Sequence, residues 1–188
     1  MTDLGPKSRG RITWVVAHGL NATKRLSGRS ETLTWFQRAD AEGNYPFYLD
    51  AIRVPQLHPN KRASRGKNKG MLSCNPLGKN PGNVWMDIPQ VGHNHREWTT
   101  HPAQMPLALA ERAIKMTTEE GALVVDLHAG SGTTLCAAVK FGRCAAGADL
   151  DANYLEIGEK RLRQVRDGTL PYRPAGEPLR PRRCTPAV

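Results

Sequence analysis

A glycine-rich turn between a short apolar strand and a helix carries the chemistry that is easiest to predict from this sequence. Residues 124–134 run from two valines into Asp126, and Gly130 and Gly132 follow at the spacing G-x-G. Glycines let the backbone approach a ligand closely, and a helix N-terminus presents N–H groups without intrahelical partners. A second acid, Asp149, ends the next predicted strand, where an acid in a Rossmann-like fold contacts ribose hydroxyls. The pattern predicts a site for a nucleoside-containing ligand.

Three classes of ligand site can be compared with this turn. A P-loop requires a lysine after its last glycine, but Thr133 stands there, so this class is excluded. A dinucleotide-binding fingerprint requires a third glycine, and Leu135 occupies that position. A site for S-adenosylmethionine (SAM) requires an acid at the strand end, two close glycines and a second acid downstream, all of which are present. An ordinary glycine-rich turn is the alternative without function, and the flanking strands disfavour it.

Three motifs resemble those of the site-specific N6-adenine/N4-cytosine DNA methyltransferases. Residues 126–134 are similar to the D-P-F-x-G-S-G-T-T motif of that family, residues 101–106 resemble H-P-x-Q-x-P, and residues 147–154 resemble G-x-E/D-x-D-x-x-Y. Their order is that of the permuted subgroup in which the catalytic motif precedes the SAM motif. The resemblance covers most of residues 14–162. It implies an α/β, class I SAM-dependent methyltransferase (Rossmann-like) fold, here incomplete.

The resemblance also implies which residues contact SAM as the cofactor. The glycine turn would lie against the methionine part, Asp126 would help to orient it, and Asp149 would hold the ribose. Residues 101–106, which precede the helix predicted from residue 107, would line the pocket opposite the glycine turn. His128 and its neighbour Leu127 replace the usual Phe and Pro, which alters the packing beside the cofactor. The expected cofactor-binding residues are His101, Gln104, Pro106, Asp126, His128, Gly130, Ser131, Gly132, Thr133 and Asp149.

The catalytic tetrapeptide of the family, (D/N/S)-P-P-(Y/F/W), does not occur in the sequence. In the family its polar side chain and a proline carbonyl accept hydrogen bonds from the target amine, and its aromatic ring stacks on the flipped base. Asn75 and Pro76 are followed by neither a second proline nor an aromatic residue. The motif should lie before Trp14, where only thirteen residues remain. We therefore assign no catalytic residue.

The absence of this motif has an expected structural consequence. In the family that the sequence resembles, two central strands lie between the terminal hairpin and the SAM-binding strands. The first of these central strands bears the catalytic loop. Without them, backbone donors and apolar faces are exposed in the middle of a sheet. We expect the isolated chain to be marginally stable, to aggregate, or to pair with a separate upstream fragment.

Basic residues outnumber acidic ones. The 188 residues include 27 lysines and arginines against 17 acids, a formal net charge of +10. Such a balance indicates a polyanionic partner, and nucleic acid is the commonest one. Residues 53–69 contain six basic side chains, and such a run either follows DNA phosphates or is a solvated surface loop. The residues expected to contact double-stranded DNA are Arg53, Lys61, Arg62, Arg65, Lys67 and Lys69.

The sequence divides into a partial methyltransferase domain over residues 1–166 and a proline- and arginine-rich tail over residues 167–188, which we expect to be disordered. Within the domain, residues 11–36 predict a β-hairpin, and residues 46–100 form an irregular basic region of target-recognition type. Residues 101–166 predict SAM-binding βα units. Helices and strands alternate there, which indicates a parallel sheet in an α/β domain.

The elements of this last part follow from apolar periodicity and capping residues. We predict helices over residues 107–116, 133–141 and 151–166. A strand buried on both faces is predicted over residues 123–125, and a second strand over residues 144–148. The apolar face of the last helix is expected to contain Leu155, Leu162 and Val165.

Cysteines and apolar segments argue against other classes of protein. The four cysteines are scattered without a C-x-x-C pair, so no metal site is expected. The longest apolar runs are too short to span a bilayer, and the first eleven residues hold no apolar signal segment. We therefore expect a cytoplasmic protein.

Two functional hypotheses fit these features. The first is a SAM-dependent DNA methyltransferase, split or truncated, that methylates an exocyclic amine and requires the absent tetrapeptide. The second is a non-catalytic remnant that holds SAM or DNA without turnover. A third and weaker hypothesis, a nucleotide-dependent oxidoreductase, would require binding of NAD in place of SAM.

Overall fold

The computed structural model describes residues 5–16, 21–41, 43 and 45–177, and it begins with the predicted hairpin. Strands β1 (Lys7–Val15) and β2 (Ser30–Gln37) pair antiparallel, with Thr13 opposite Thr32. Alternate side chains of β1 point to one face, where Ile12 and Trp14 are buried. The two strands form the expected hairpin, which begins at Lys7, four residues before the predicted start at residue 11.

The irregular region after the hairpin contributes more to the core than its composition indicates. It contains a short 3₁₀ helix (Leu49–Ile52) and the two-residue strand β3 (Val84–Trp85), which pairs parallel with β1. Trp85 and Ile88 are 1% and 0% exposed. The indole N–H of Trp14 donates to the Ile88 carbonyl at 2.7 Å. The region is irregular as predicted, but it is anchored to the hairpin.

The second part of the chain is the predicted alternation of helices and strands. It comprises α1 (Leu107–Thr117), β4 (Leu123–Asp126), α2 (Thr133–Lys140), β5 (Cys144–Gly147) and α3 (Ala152–Arg166). The two strands pair in parallel, which confirms the α/β prediction.

Helix α1 connects the two parts of the molecule. Leu109 packs in the apolar core beneath the hairpin, together with Trp14. Leu107 and Ile114, on another side of the same helix, pack in a second core with Cys136 of α2. The helix is therefore buried on more than one side, and it fixes the hairpin relative to the SAM-motif segments.

The described strands form two separate sheets, of order β2-β1-β3 and β4-β5. Strand β4 is not buried on both faces as predicted, because Leu123 and Val125 are 62% and 55% exposed while Val124 packs in the second core. A parallel pair normally has both faces covered, whereas the described residues leave one face of this pair exposed. Within the described residues, no strand joins the two sheets.

Two further expectations about the C-terminal part were wrong. Leu155 of α3 is exposed, and the buried residues of this helix are Gly158 and Arg161. Residues 167–177 are not a disordered tail, because Leu170 is buried and Tyr172 contacts both cores. Long-range hydrogen bonds reach into this segment, so it is part of the domain. Residues 178–188 lie outside the described part of the chain.

Neither a membrane-spanning helix nor a metal cluster occurs among the residues that the structure describes. The longest of its helices, α3, has 15 residues and is strongly charged, and none meets the length and apolarity that a bilayer requires. The described His, Cys, Asp and Glu side chains form no group of three that could hold a metal ion.

Candidate cofactor site at the glycine turn

The glycine turn is held against the ends of both parallel strands. Asp126 ends β4, and its Oδ1 accepts the backbone N–H of His128 at 3.0 Å. The N–H of Ala129 donates to the Ala148 carbonyl at 2.9 Å. The N–H of Gly130 donates to Oδ2 of Asp149 at 2.7 Å. The two acids that the sequence singles out are thus brought to one edge of the sheet, as the parallel arrangement predicts.

Two positions in the turn require glycine for steric as well as conformational reasons. Gly130 and Gly132 have φ angles of 50° and 72°, where other residues are strained. A Cβ on Gly130 would lie 2.8 Å from Nε2 of His101. A Cβ on Gly132 would lie 2.9 Å from Cα of Gly158 in α3. The turn is therefore packed between the residue that precedes α1 and the helix that follows β5.

A cavity of about 290 Å³ opens at this turn. Its walls include seven of the ten expected cofactor-binding residues, together with Ala103, Met105, Thr134 and Tyr154; no residue of 45–100 lines it. The seven are His101, Asp126, His128, Gly130, Ser131, Thr133 and Asp149.

The three remaining residues shape the site from behind. Gly132 gives α3 room to approach, as described above. Pro106 is buried at the N-terminus of α1. Gln104 accepts the N–H and the hydroxyl of Thr99 at 2.9 and 2.7 Å and donates to the Glu97 carbonyl at 2.6 Å. Its amide is thus engaged within residues 97–104, and it lines a neighbouring cavity of about 630 Å³.

Backbone hydrogen bonds favour the ionised form of Asp149, which can accept hydrogen bonds. Its Oδ1 accepts the N–H of Asp151 at 3.0 Å, and its Oδ2 accepts that of Gly130. These backbone donors, that of Asp151 first, hold the pKa of Asp149 below its usual value. Each carboxylate oxygen has a second lone pair, so the group can still accept hydroxyl donors from a ligand.

An aromatic residue without an assigned role completes the wall. The ring of Tyr154 lies 4.3 Å from that of His101, at 60° between planes. Both rings line the cavity. Aromatic faces suit a planar base, while the acid and the helix N-terminus suit polar groups. Tyr154 belongs to the third sequence motif, and its position after the acid at the strand end is the signal that could have identified it.

The basic residues predicted to contact DNA separate into two environments. Residues 61–73 form a short hairpin-like projection. In it the N–H of Ala63 donates to the Met71 carbonyl at 2.9 Å, and the backbones of Arg62 and Leu72 form an antiparallel β-bridge. We call these residues the basic finger. Its five predicted cations are exposed, namely Lys61, Arg62, Arg65, Lys67 and Lys69.

Arg53 differs from the other five cations. Its side chain is 14% exposed and pairs with Asp50 at 2.6 Å. Its Nη1 donates to the Gly78 carbonyl at 2.9 Å. The guanidinium therefore links two segments of the irregular region, at Asp50 and Gly78, and it is less exposed to solvent than the cations of the basic finger.

Comparison with known proteins agrees with the motifs and the fold. The N6/N4 methyltransferase family model, described as DNA methylase, matches residues 2–160. The chain is 46% identical over 160 residues to the Type II methyltransferase M.BglII of Bacillus subtilis, covering 85% of this chain and 43% of that protein. It is 39% identical over 156 residues to the Type II methyltransferase M.ScaI of Streptomyces caespitosus, covering 80% and 49%.

A solved structure shares the fold. The crystal structure of an M1.HpyAVI–SAM complex superposes with a TM-score of 0.53 at 24% identity, covering 84% of this chain and 63% of that one. The chain spans about half the length of the two curated relatives. The glycine turn, the acid at the end of β5 and the matched family model lead to one conclusion: the chain belongs to the N6/N4 DNA methylase family.

Proposed function

We propose that this chain is the SAM-binding part of a DNA methyltransferase that methylates the N6 amine of adenine or the N4 amine of cytosine. The observation that carries the proposal is the hydrogen bond from Gly130 to Asp149, which joins the glycine turn to the acid that would hold the ribose, in the wall of one cavity. The family membership supports the same function. The substrate would be double-stranded DNA, and the protein would act in the cytoplasm, the location expected from the sequence.

The residues of the cavity fit SAM by their chemistry. The carboxylate of Asp149 would accept the ribose hydroxyls. The turn and the N-terminus of α2 would receive the amino-acid end, since a helix N-terminus favours a carboxylate. His101 and Tyr154 would pack beside the adenine ring. When bound, SAM supplies an electrophilic methyl group. The cavity, at about 290 Å³, is at the lower limit of the size of small-molecule sites.

The groups that hold the target amine would come from an upstream segment, either in the same polypeptide or as a separate fragment. The relatives M.BglII and M.ScaI are about twice as long as the matched region. Strand β4 pairs only with β5 among the described strands, and its exposed Leu123 and Val125 offer an uncovered apolar face. Strands inserted between β4 and the hairpin would pair with the open edge of β4 and join the two sheets, and the helices that connect such strands would cover this face.

The basic finger would contact the DNA backbone. Its five cations project into solvent with no acid within residues 61–73. Cations in such a run neutralise phosphates and release counterions, which gives affinity without sequence specificity. Arg53 is excluded from these contacts, because Asp50 and the Gly78 carbonyl engage its guanidinium.

A non-catalytic SAM- or DNA-binding protein is the second candidate. The two candidates differ in turnover once the missing groups are supplied. Family membership argues against the nucleotide-dependent oxidoreductase.

The cofactor assignment is tested by calorimetric titration of the full chain with SAM and, as a control, with NAD. We expect saturable binding of SAM, none of NAD, and loss of SAM binding in Asp149→Ala. A folded sample that gives no heat with SAM would refute the assignment. Transfer of labelled methyl groups to DNA is then measured with and without the N-terminal part of M.BglII, expressed separately. Transfer only in the mixture supports the enzyme, and SAM binding without transfer supports the second candidate.

A further inference from the structure

A buried arginine lies directly behind the glycine turn. Arg161 of α3 is 4% exposed. Its Nη1 donates to the Ser131 carbonyl at 2.7 Å, to Ser131 Oγ at 3.1 Å and to Thr133 Oγ1 at 2.8 Å. One nitrogen of the guanidinium therefore bonds to both polar residues that form the entry to α2.

The backbone of α3 is close enough for this contact because of a pair of glycines. Gly158 lies one turn before Arg161, on the same face of the helix. A Cβ on Gly158 would lie 3.5 Å from Cα of Gly132, and one on Gly132 would lie 2.9 Å from Cα of Gly158. With no side chain between them, the helix and the turn pack backbone to backbone, and Arg161 reaches beneath the turn.

Among the described residues, the polar contacts of the Arg161 guanidinium are with Ser131 and Thr133, and none is with a carboxylate. Burial lowers the pKa of its guanidinium, but an arginine remains charged at neutral pH. Glu97 is the acid that acts on it through space, and its two oxygens accept the N–H groups of Leu107 and Arg173, both at 2.8 Å. Nη2 of Arg161 has no hydrogen-bond partner among the described residues. A positive charge thus stands behind the N-terminus of α2.

We propose that Arg161 is a positioning residue for the carboxylate end of SAM. It fixes Ser131 and Thr133 in the shape that the turn needs, and it adds positive charge where the helix N-terminus already favours an anion. This inference rests on the proposed function, because it concerns one end of the same ligand. It predicts an effect confined to ligands that carry the amino-acid group.

The test compares SAM with 5′-methylthioadenosine, which keeps the adenine, the ribose and the sulfur but lacks the amino-acid group. Arg161→Met removes the donors and the charge, Arg161→Lys keeps the charge, and Arg163→Met is the matched control. Arg163 lies on the same helix with a side chain that is 66% exposed.

For Arg161→Met we expect the dissociation constant for SAM to rise by about tenfold or more, which corresponds to the loss of one charge-assisted hydrogen bond. The dissociation constant for 5′-methylthioadenosine should change by less than about threefold. Arg161→Lys should be intermediate and Arg163→Met unchanged.

A merely structural role would weaken both ligands alike, and that result, or unchanged SAM binding, would overturn the inference. Failure of the wild-type chain to bind SAM would instead overturn the proposed function.

A measurement on the wild-type chain covers the case in which the arginine variants do not fold. Arginine side-chain NMR signals are followed during titration with each ligand, and Arg161 is distinguished from Arg112, the other buried arginine of the described residues, by its through-space contacts with Ser131 and Thr133. We expect its signal to shift with SAM and to stay in place with 5′-methylthioadenosine. An equal response to the two ligands, or none to SAM, would contradict a role at the carboxylate end.

Discussion

Gly132 and Gly158 touch backbone to backbone, with a Cβ on the former only 2.9 Å from Cα of the latter. This contact joins the glycine turn to the last helix of the domain. It brings the turn and α3 together although the two glycines are 26 positions apart in the chain. A methyl group on Gly132 would not fit, whereas one on Gly158 would lie 3.5 Å from Cα of Gly132, so the contact depends chiefly on Gly132.

Gly132→Ala should therefore lower both stability and SAM affinity. A non-glycine residue at this φ of 72°, with a backbone contact below 3 Å, costs about 2 kcal/mol or more. Urea denaturation measures the change in the free energy of unfolding, and calorimetry measures binding. The matched control is Gly168→Ala, which has a φ of 68° but nothing within 4 Å of its Cβ. Equal losses in the two variants would show that backbone strain, not the contact with Gly158, is responsible.

The carboxylate of Asp149 should contribute to stability in a pH-dependent way. Its pKa is lowered in the folded chain because the N–H groups of Asp151 and Gly130 donate to it. Such a group stabilises the fold above the ordinary carboxyl pKa of about 4, and the contribution is lost as pH falls through the lower folded-state pKa. We expect Asp149→Asn to be less stable than the wild type at neutral pH, with a difference that shrinks below about pH 4. Urea unfolding across this range measures the difference, and one that is constant with pH would contradict the expectation. Asp167→Asn, at an exposed carboxylate, is the control.

Charge reversal in the basic finger should weaken DNA binding uniformly across sequences. Lys67→Glu and Lys69→Glu alter exposed side chains, so their stability should stay within about 0.5 kcal/mol of the wild type. Binding to duplex DNA is measured by fluorescence anisotropy over a range of salt concentrations. The slope of the logarithm of the association constant against the logarithm of the salt concentration should be smaller by about one for each phosphate that the variant no longer neutralises. Arg53→Met is the contrasting variant, since it should lower stability and leave the salt slope unchanged. The reverse pattern would show that Arg53, and not the finger, contacts DNA.

The uncovered face of β4 should govern self-association. Val125 is 55% exposed on a strand with one described partner. Val125→Lys places a charge on this face, and charged residues on open sheets oppose pairing between chains. We expect less aggregation in light scattering and unchanged SAM affinity. Complementation by the N-terminal part of M.BglII should become weaker, because the same face would be covered by the layer that packs on it when the inserted strands are present. Lys140→Glu, at an exposed site on α2, tests for a non-specific effect of charge.

Much of the site follows from local sequence. The succession of an apolar strand, Asp126 and two glycines is sufficient to predict a strand, a turn and a helix, since each step depends on neighbouring residues. The acid that ends β5 follows from the same logic, and the parallel pairing brings it to Gly130. For the same reason the predicted boundaries of the three helices lie within one residue of those in the structure.

Tertiary packing decided what local patterns could not express. Arg161 appears in the sequence as one of several basic residues on a charged helix, and only the approach of Gly158 to Gly132 places it beneath the turn. Tyr172 lies in a segment rich in proline and arginine, yet contacts with both cores order it. The burial of a side chain depends on which distant segment covers it, and this is a property of the assembled chain that periodicity along the sequence does not contain.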